Sequence, residues 1–326
     1  PFIHLQTDME VEPKPEPENP VPPKTMTPFI IERRLSPNKG PIPCLRYSPD
    51  GKYLAVATAG NTVFVYQTND FTCVHKFEGH EKGVNAIAWS PLSQYLASCS
   101  DDKTIRVWSM EKGILVRIIT NLSLYPTCIA MNARGTIIAC SCDDNCIYFF
   151  SVFSRTLLRT IYAHSNTITS LEFNADGSQL VSSSTDGYCR IWDCGSGNCI
   201  FTRHPLSDNA PIVSSSFSPN GRYVLLSYLK RGLAIWCLEH DAIEKLGAGH
   251  HVVDRFLCGA CFYRQRMVTG SEDGKVVVYA IEGDEADEIP CNADVVLCVA
   301  ALSDLRQIAV GTMGEANEVI VLKETG

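Results

Sequence analysis

The chain has 326 residues, 45% hydrophobic and 20% charged, with 28 basic against 36 acidic residues and a formal charge of −8. This excludes a mainly disordered or fibrous polypeptide and gives no general field for nucleic acid, although a basic peptide is still attracted. Apolar runs such as 295–302 fall well short of the ~20 residues that cross a bilayer, and at ~150 residues per domain the length suggests two domains unless one repeat architecture absorbs it.

Residues 1–24 carry Asp8, Glu10, Glu12, Glu16 and Glu18 and six prolines between positions 13 and 23. Such a stretch cannot repay its ordering entropy by burial, so a flexible acidic tail is expected there. It lacks the basic start and apolar run of a secretory signal, and the missing initial Met reads as a trimmed or partial chain. From residue 25 onward the texture changes to short apolar segments broken by Asn-Gly, Asp-Gly and Ser-Pro. The segment 26–36 is strand-like and precedes the first full unit.

Beyond it, one residue closes a strand in every unit: Tyr66, Trp108, Phe150, Trp192, Trp236, Tyr279 and Leu322, spaced 42 to 44 residues apart. Asp102, Asp144, Asp186 and Asp273 each stand six residues before such a strand end. Ser48-Pro49-Asp50-Gly51, Asn174-Ala175-Asp176-Gly177 and Ser218-Pro219-Asn220-Gly221 mark turns between the first two strands of their units. Around Gly79-His80 the pattern is strand 84–90, strand 95–100, an Asp101-Asp102 turn, strand 104–108 and a fourth strand near 115–119. Seven such meanders cover their faces only by standing around a ring, so the expected fold is all-β, a seven-bladed propeller over 25–326. The last unit ends near Leu322 with little left for an outer strand; Phe29–Ile31 is therefore expected to close the last blade.

His80 with Asp102 and Trp108, and His164 with Asp186 and Trp192, can form a polar set inside a blade. Recurrence gives these six residues a structural rather than a catalytic role. The third unit has Asn121-Leu122 where a Gly-His would stand, the fifth has Arg231-Gly232 in place of the Asp turn, and the seventh has no obvious His or Trp. Those units are expected to be the weak points.

The fifteen cysteines are scattered through strand-like segments, which fits reduced core residues of an intracellular protein. Cys128, Cys140, Cys142 and Cys146, or Cys258 and Cys261, lack a ligand quartet of fixed spacing, so no metal is expected. No glycine-rich phosphate loop, GxSxG turn or HExxH helix is present, and neither an enzyme nor a cofactor is expected. Arg33-Arg34 and Lys230-Arg231 are too short for a nucleic-acid surface.

The repeats resemble the WD40-repeat propellers. In DDKTIRVW, AHSNTITSLEFNADGSQLVSSSTDGYCRIWD and SFSPNGRYVL the chain is more closely similar to the adaptor subunits of COMPASS/MLL-type histone-lysine methyltransferase complexes. That resemblance implies a non-enzymatic, nuclear peptide-binding scaffold, with the cytoplasm as a second location. Its partners would be methyltransferase-complex subunits bound through linear peptides, and a histone tail; a divergent adaptor in RNA processing or another complex is the alternative. It also implies a top rim that takes an inserted arginine, with Asp101 as acid and Ala59, Asn85, Thr169 and Thr185 around it, though Asp101 can equally cap a turn. The two stacking phenylalanines of the family fall on Thr127 and Gly259 and a further aromatic on Cys142, while Tyr125 and Phe256 remain beside them, so arginine binding should be weakened. A second peptide site is implied at Asn220, Tyr223 and Ile235, with Arg264 at a neighbouring position; Asn220-Gly221 also reads as a simple turn.

Overall fold

The computed structural model describes residues 29–120, 122, 124–204, 210–247, 250–281 and 285–325. The acidic segment 1–24 and Asn121 lie outside them. Among the described residues every regular element is a strand, and the strands form seven four-stranded antiparallel sheets. Six sheets follow chain order, as in blade two: Val84–Trp89, Tyr95–Ser100, Thr104–Ser109 and Ile114–Ile119. The seventh joins Val295–Leu302, Gln307–Met313 and Val319–Glu324 to Phe29–Leu35. First strands touch first strands in a closed cycle from blade one through blade seven and back. This is an all-β, seven-bladed propeller around a central channel.

Turn chemistry sets the pleats. In blades one and five the Ser48 and Ser218 hydroxyls donate to Asp50 Oδ1 and Asn220 Oδ1 at 2.7 and 2.6 Å, and the following Gly51 and Gly221 both have φ of 69°. Only glycine adopts that left-handed conformation at no steric cost. Between the turns, alternate side chains pack against the next blade. Ala55, Val65 and Phe77 of blade one meet Ile87, Leu96 and Trp108 of blade two, and Phe77 stacks on Trp108 with centroids 4.9 Å apart. Trp236 plays the same part in blade five and is fully buried.

Blades two and four add a polar chain to this core. His80 Nδ1 lies 2.7 Å from Asp102, His80 Nε2 lies 2.8 Å from Ser98 Oγ, and Trp108 Nε1–H donates to the same Ser98 at 2.8 Å. His164, Asp186, Ser182 and Trp192 repeat the arrangement at 3.0, 2.8 and 2.8 Å. The bonds fit a neutral imidazole: Nδ1–H donates to the carboxylate, and Nε2 accepts from the serine, which accepts from the indole. Burial pushes both histidines below their usual range despite the carboxylates. Burial works against the Asp102 and Asp186 carboxylates, yet hydrogen bonds hold both below theirs, from Thr104 and His80 in one and His164 in the other.

Blade three satisfies itself differently. Leu122 is buried in the apolar core, and the Tyr148 hydroxyl donates to Asp144. In blade five the Trp236 indole donates to Asp241 at 3.0 Å. Blade seven depends on its outer strand, in which Phe29 pairs with Glu324 and Leu35 with Val319. Ile30 and Ile31 are exposed, so ion pairs rather than a greasy face accompany that pairing: Arg34–Glu318 and Lys323–Glu32, both at 2.9 Å.

All fifteen cysteines are free thiols. Cys73 and Cys199 are exposed on outer strands, correcting the reading of every cysteine as core.

Candidate peptide-binding faces

The rim residues lie where first strands begin and second strands end. Asn85 Nδ2 donates to Asp101 Oδ1 at 2.7 Å and to the Pro126 carbonyl of blade three at 2.8 Å. Thr127 donates to the Ile168 carbonyl of blade four at 3.3 Å and pairs with Ser141 at 2.7 Å; Thr169 donates to the Ile212 carbonyl of blade five at 2.8 Å. The same rung is thus repeated three times, each one tying a first strand to the next. These groups meet one another as blade-to-blade ties, which uses hydrogen-bonding capacity that a ligand would need.

Ala59 is exposed, and its N–H donates to Pro41 at 2.9 Å. Thr185 is half-buried, and its N–H donates to Thr167 at 3.0 Å. Tyr125 is exposed, but its ring faces the ammonium groups of Lys82 and Lys103 at 5.6 and 5.0 Å, so the chain's own cations already occupy the aromatic surface. Phe256 is half-buried against Val213, Val253 and Val295. Gly259 donates to the Leu297 carbonyl of blade seven at 2.8 Å; a Cβ there would meet ordinary contacts from 3.6 Å outward, so a larger residue is not barred. Cys142 ends the second strand of blade three at the level of the rim, but its side chain offers no rim surface. It is buried in the core shared by blades two and three, because the pleat turns it inward.

On the opposite face, Asn220 is exposed, with Oδ1 holding the turn through Ser218 Oγ and Arg222 N–H. Tyr223 is half-buried beside Ile235. Ile235 is only 4% exposed, packed with Leu225, Met267 and Tyr279, which corrects its placement as a surface contact for a peptide. Arg264 is engaged with Glu324 at 3.2 Å.

Among the described residues no group of three or more His, Cys, Asp or Glu is placed to hold a metal ion. Burial pushes the Cys128 thiol up to about 11 and the Cys258 and Cys261 thiols up to about 12, away from the thiolate that metal binding requires.

Set against known families, the model of the IFT122 first beta-propeller matches residues 41–321, nearly the whole ring. The chain belongs to that family. No curated protein matches it. Membership in the IFT122 first-propeller family agrees with a WD40-type ring and with protein partners. It does not support the closer resemblance to histone methyltransferase adaptors, and it points to a different kind of assembly. Repeat spacing, turn signals and Trp ends belong to the architecture that both groups share, so similarity in those segments could not separate them.

The sequence reading missed two charged residues inside the channel, Arg46 on the first strand of blade one and Glu172 on that of blade four. Arg46 is exposed to the channel, and Glu172 is half-buried. Burial pushes the Glu172 carboxyl up to about 7, outweighing the Arg46 charge and the Phe217 N–H.

Proposed function

We propose that this ring is a non-catalytic protein-interaction module of an intraflagellar-transport-type complex. The observation that carries the reading is the family match across residues 41–321. The fold agrees with it, because seven blades tied into a closed cycle give a rigid platform whose loops and edges meet several partners at once. Asp101, half-buried and tied to Asn85, leaves the rim a weak receptor for arginine on its own, since a carboxylate already hydrogen-bonded and without a pair of stacking rings contributes little. Partner choice is therefore assigned to surfaces other than an arginine clamp.

Affinity purification of the tagged chain followed by mass spectrometry tests the proposal. Intraflagellar-transport subunits should be enriched over a tagged unrelated propeller. Enrichment of methyltransferase or RNA-processing subunits in their place would overturn it.

A further inference from the structure

The end of the channel opposite the rim holds a cavity of about 310 Å³. Its wall contains Glu172, Ser216 and Cys261 together with Phe173, Phe217 and Phe262, and the turns at Ala175 and Pro219 border it. Glu172 Oε2 accepts one hydrogen bond, from Phe217 N–H at 3.2 Å. The Ser216 hydroxyl is shielded from solvent and has no hydrogen-bond partner. The opposing charge is Arg46, on a blade three positions away around the ring, whose Nη1 donates instead to Leu45 O at 3.5 Å. A half-enclosed carboxylate with spare acceptor sites and an unpartnered hydroxyl, set among phenyl rings, lacks a donor-rich cation. The cavity stands at the lower end of the ~300–1,000 Å³ range of ligand sites, which suits one inserted side chain better than a whole cofactor. The chain's net charge of −8 also favours a cationic ligand.

We propose that this turn-side end of the channel receives one basic side chain, an arginine or a lysine presented by a partner polypeptide. Glu172 accepts N–H donors from its head, and the phenyl rings cover its stem. Arg46 is the resident counter-ion that the incoming cation displaces. The site is separate from the rim and does not depend on which assembly the ring joins.

The test is calorimetric titration of the full chain with acetyl-Gly-Arg-Gly-amide, its Lys counterpart, and a Gln counterpart as control. The Arg or Lys peptide should bind one to one and the Gln peptide should not. Glu172→Gln should weaken binding at least tenfold, Arg46→Met should strengthen it severalfold, and Asp101→Asn at the rim should leave it unchanged. On the wild-type protein, binding should be at least fivefold weaker at pH 6 than at pH 8. Arg46 of blade one and Cys261 of blade six, the charged and titratable groups that act on Glu172 from across the channel, keep their charge state across that range, the thiol being pushed up to about 12. No binding of either basic peptide at millimolar concentration, equal binding to the Gln peptide, or loss in Asp101→Asn but not in Glu172→Gln would overturn the proposal. If Glu172→Gln fails to fold, the wild-type pH comparison decides, and equal affinity at the two pH values would sink it.

Discussion

Blades two and four are held from within, whereas blade seven is held from outside. In the first pair, one histidine joins a loop to an aspartate turn, and the serine on its far side takes the indole N–H, all within about thirty residues of chain. Blade seven has no such chain; its fourth strand comes from residues 29–35, and the Arg34–Glu318 pair spans 284 positions. Local polar networks therefore make a blade self-sufficient, and where the network is missing the ring substitutes a contact that exists only when the whole ring is assembled. Such contacts bear a larger loop-closure cost and give the blade its own failure mode.

The largest effect should come from removing that outside strand. Deletion of residues 1–34 strips the register from Phe29 to Arg34 and the pairs to Glu318 and Lys323. At a net ~0.5–1.5 kcal/mol per hydrogen bond this costs on the order of 3 kcal/mol or more, while deletion of residues 1–24 leaves stability nearly unchanged. Limited proteolysis and urea unfolding of both truncations measure this; equal resistance would remove the distinction between the blades.

Next in size, Asp102→Ala or Asp186→Ala should cost roughly 1 to 3 kcal/mol, since each leaves a buried imidazole and loop N–H donors unpaired. Hydrogen exchange sharpens the comparison: faster exchange should appear in the substituted blade and leave blade seven unaltered. Thermal midpoints unchanged in both variants would show that the polar chain is not what holds these blades.

The smallest effect is that of mild acid. The folded state keeps His80 and His164 below their usual range, so below about pH 6.5 the unfolded chain binds more protons and stability falls with pH. The depressed Asp102 and Asp186 act in the same direction, but only below about pH 4. Between pH 7 and pH 5 His251, pushed down to about 4, adds to this loss, while Glu172, pushed up to about 7, opposes it. The contribution of the two histidines is therefore read as a difference: the slope of the unfolding midpoint against pH should be shifted toward stabilisation in acid in the double substitution His80→Gln with His164→Gln. A profile of equal slope in the double variant would assign the acid sensitivity elsewhere.

The architecture was legible because its markers are local and periodic. Strand ends from Tyr66 to Leu322 and aspartates six residues before them repeat whatever the distant chain does. The interaction faces were much less legible. Thr127 and Thr169 look like rim contacts in a row of letters, yet their hydroxyls reach carbonyls 41 and 43 positions away. Cys142 and Ile235 were misjudged for a related reason: on a strand, a shift of one residue exchanges core for surface, and only the register decides. Glu172 carried no signal at all. A glutamate beside a phenylalanine at a strand end reads as a solvated position until six other strands close around it, and the Arg46 that faces it lies 126 positions earlier in the chain.

The closing strand also has a consequence for how this protein comes into being. Residues 29–35 leave the ribosome before the rest of the ring, and their partner, Val319–Glu324, is made 284 or more residues later. At ~5–20 residues per second that interval is roughly 15 to 60 s. Throughout it the nascent chain carries an orphan strand with outward-facing Ile30 and Ile31 and a row of unpaired backbone groups. A ring sealed by its two most distant strands therefore stays open until its last strand has been made, so the delay before closure follows the number of residues between those strands rather than the stability of any blade.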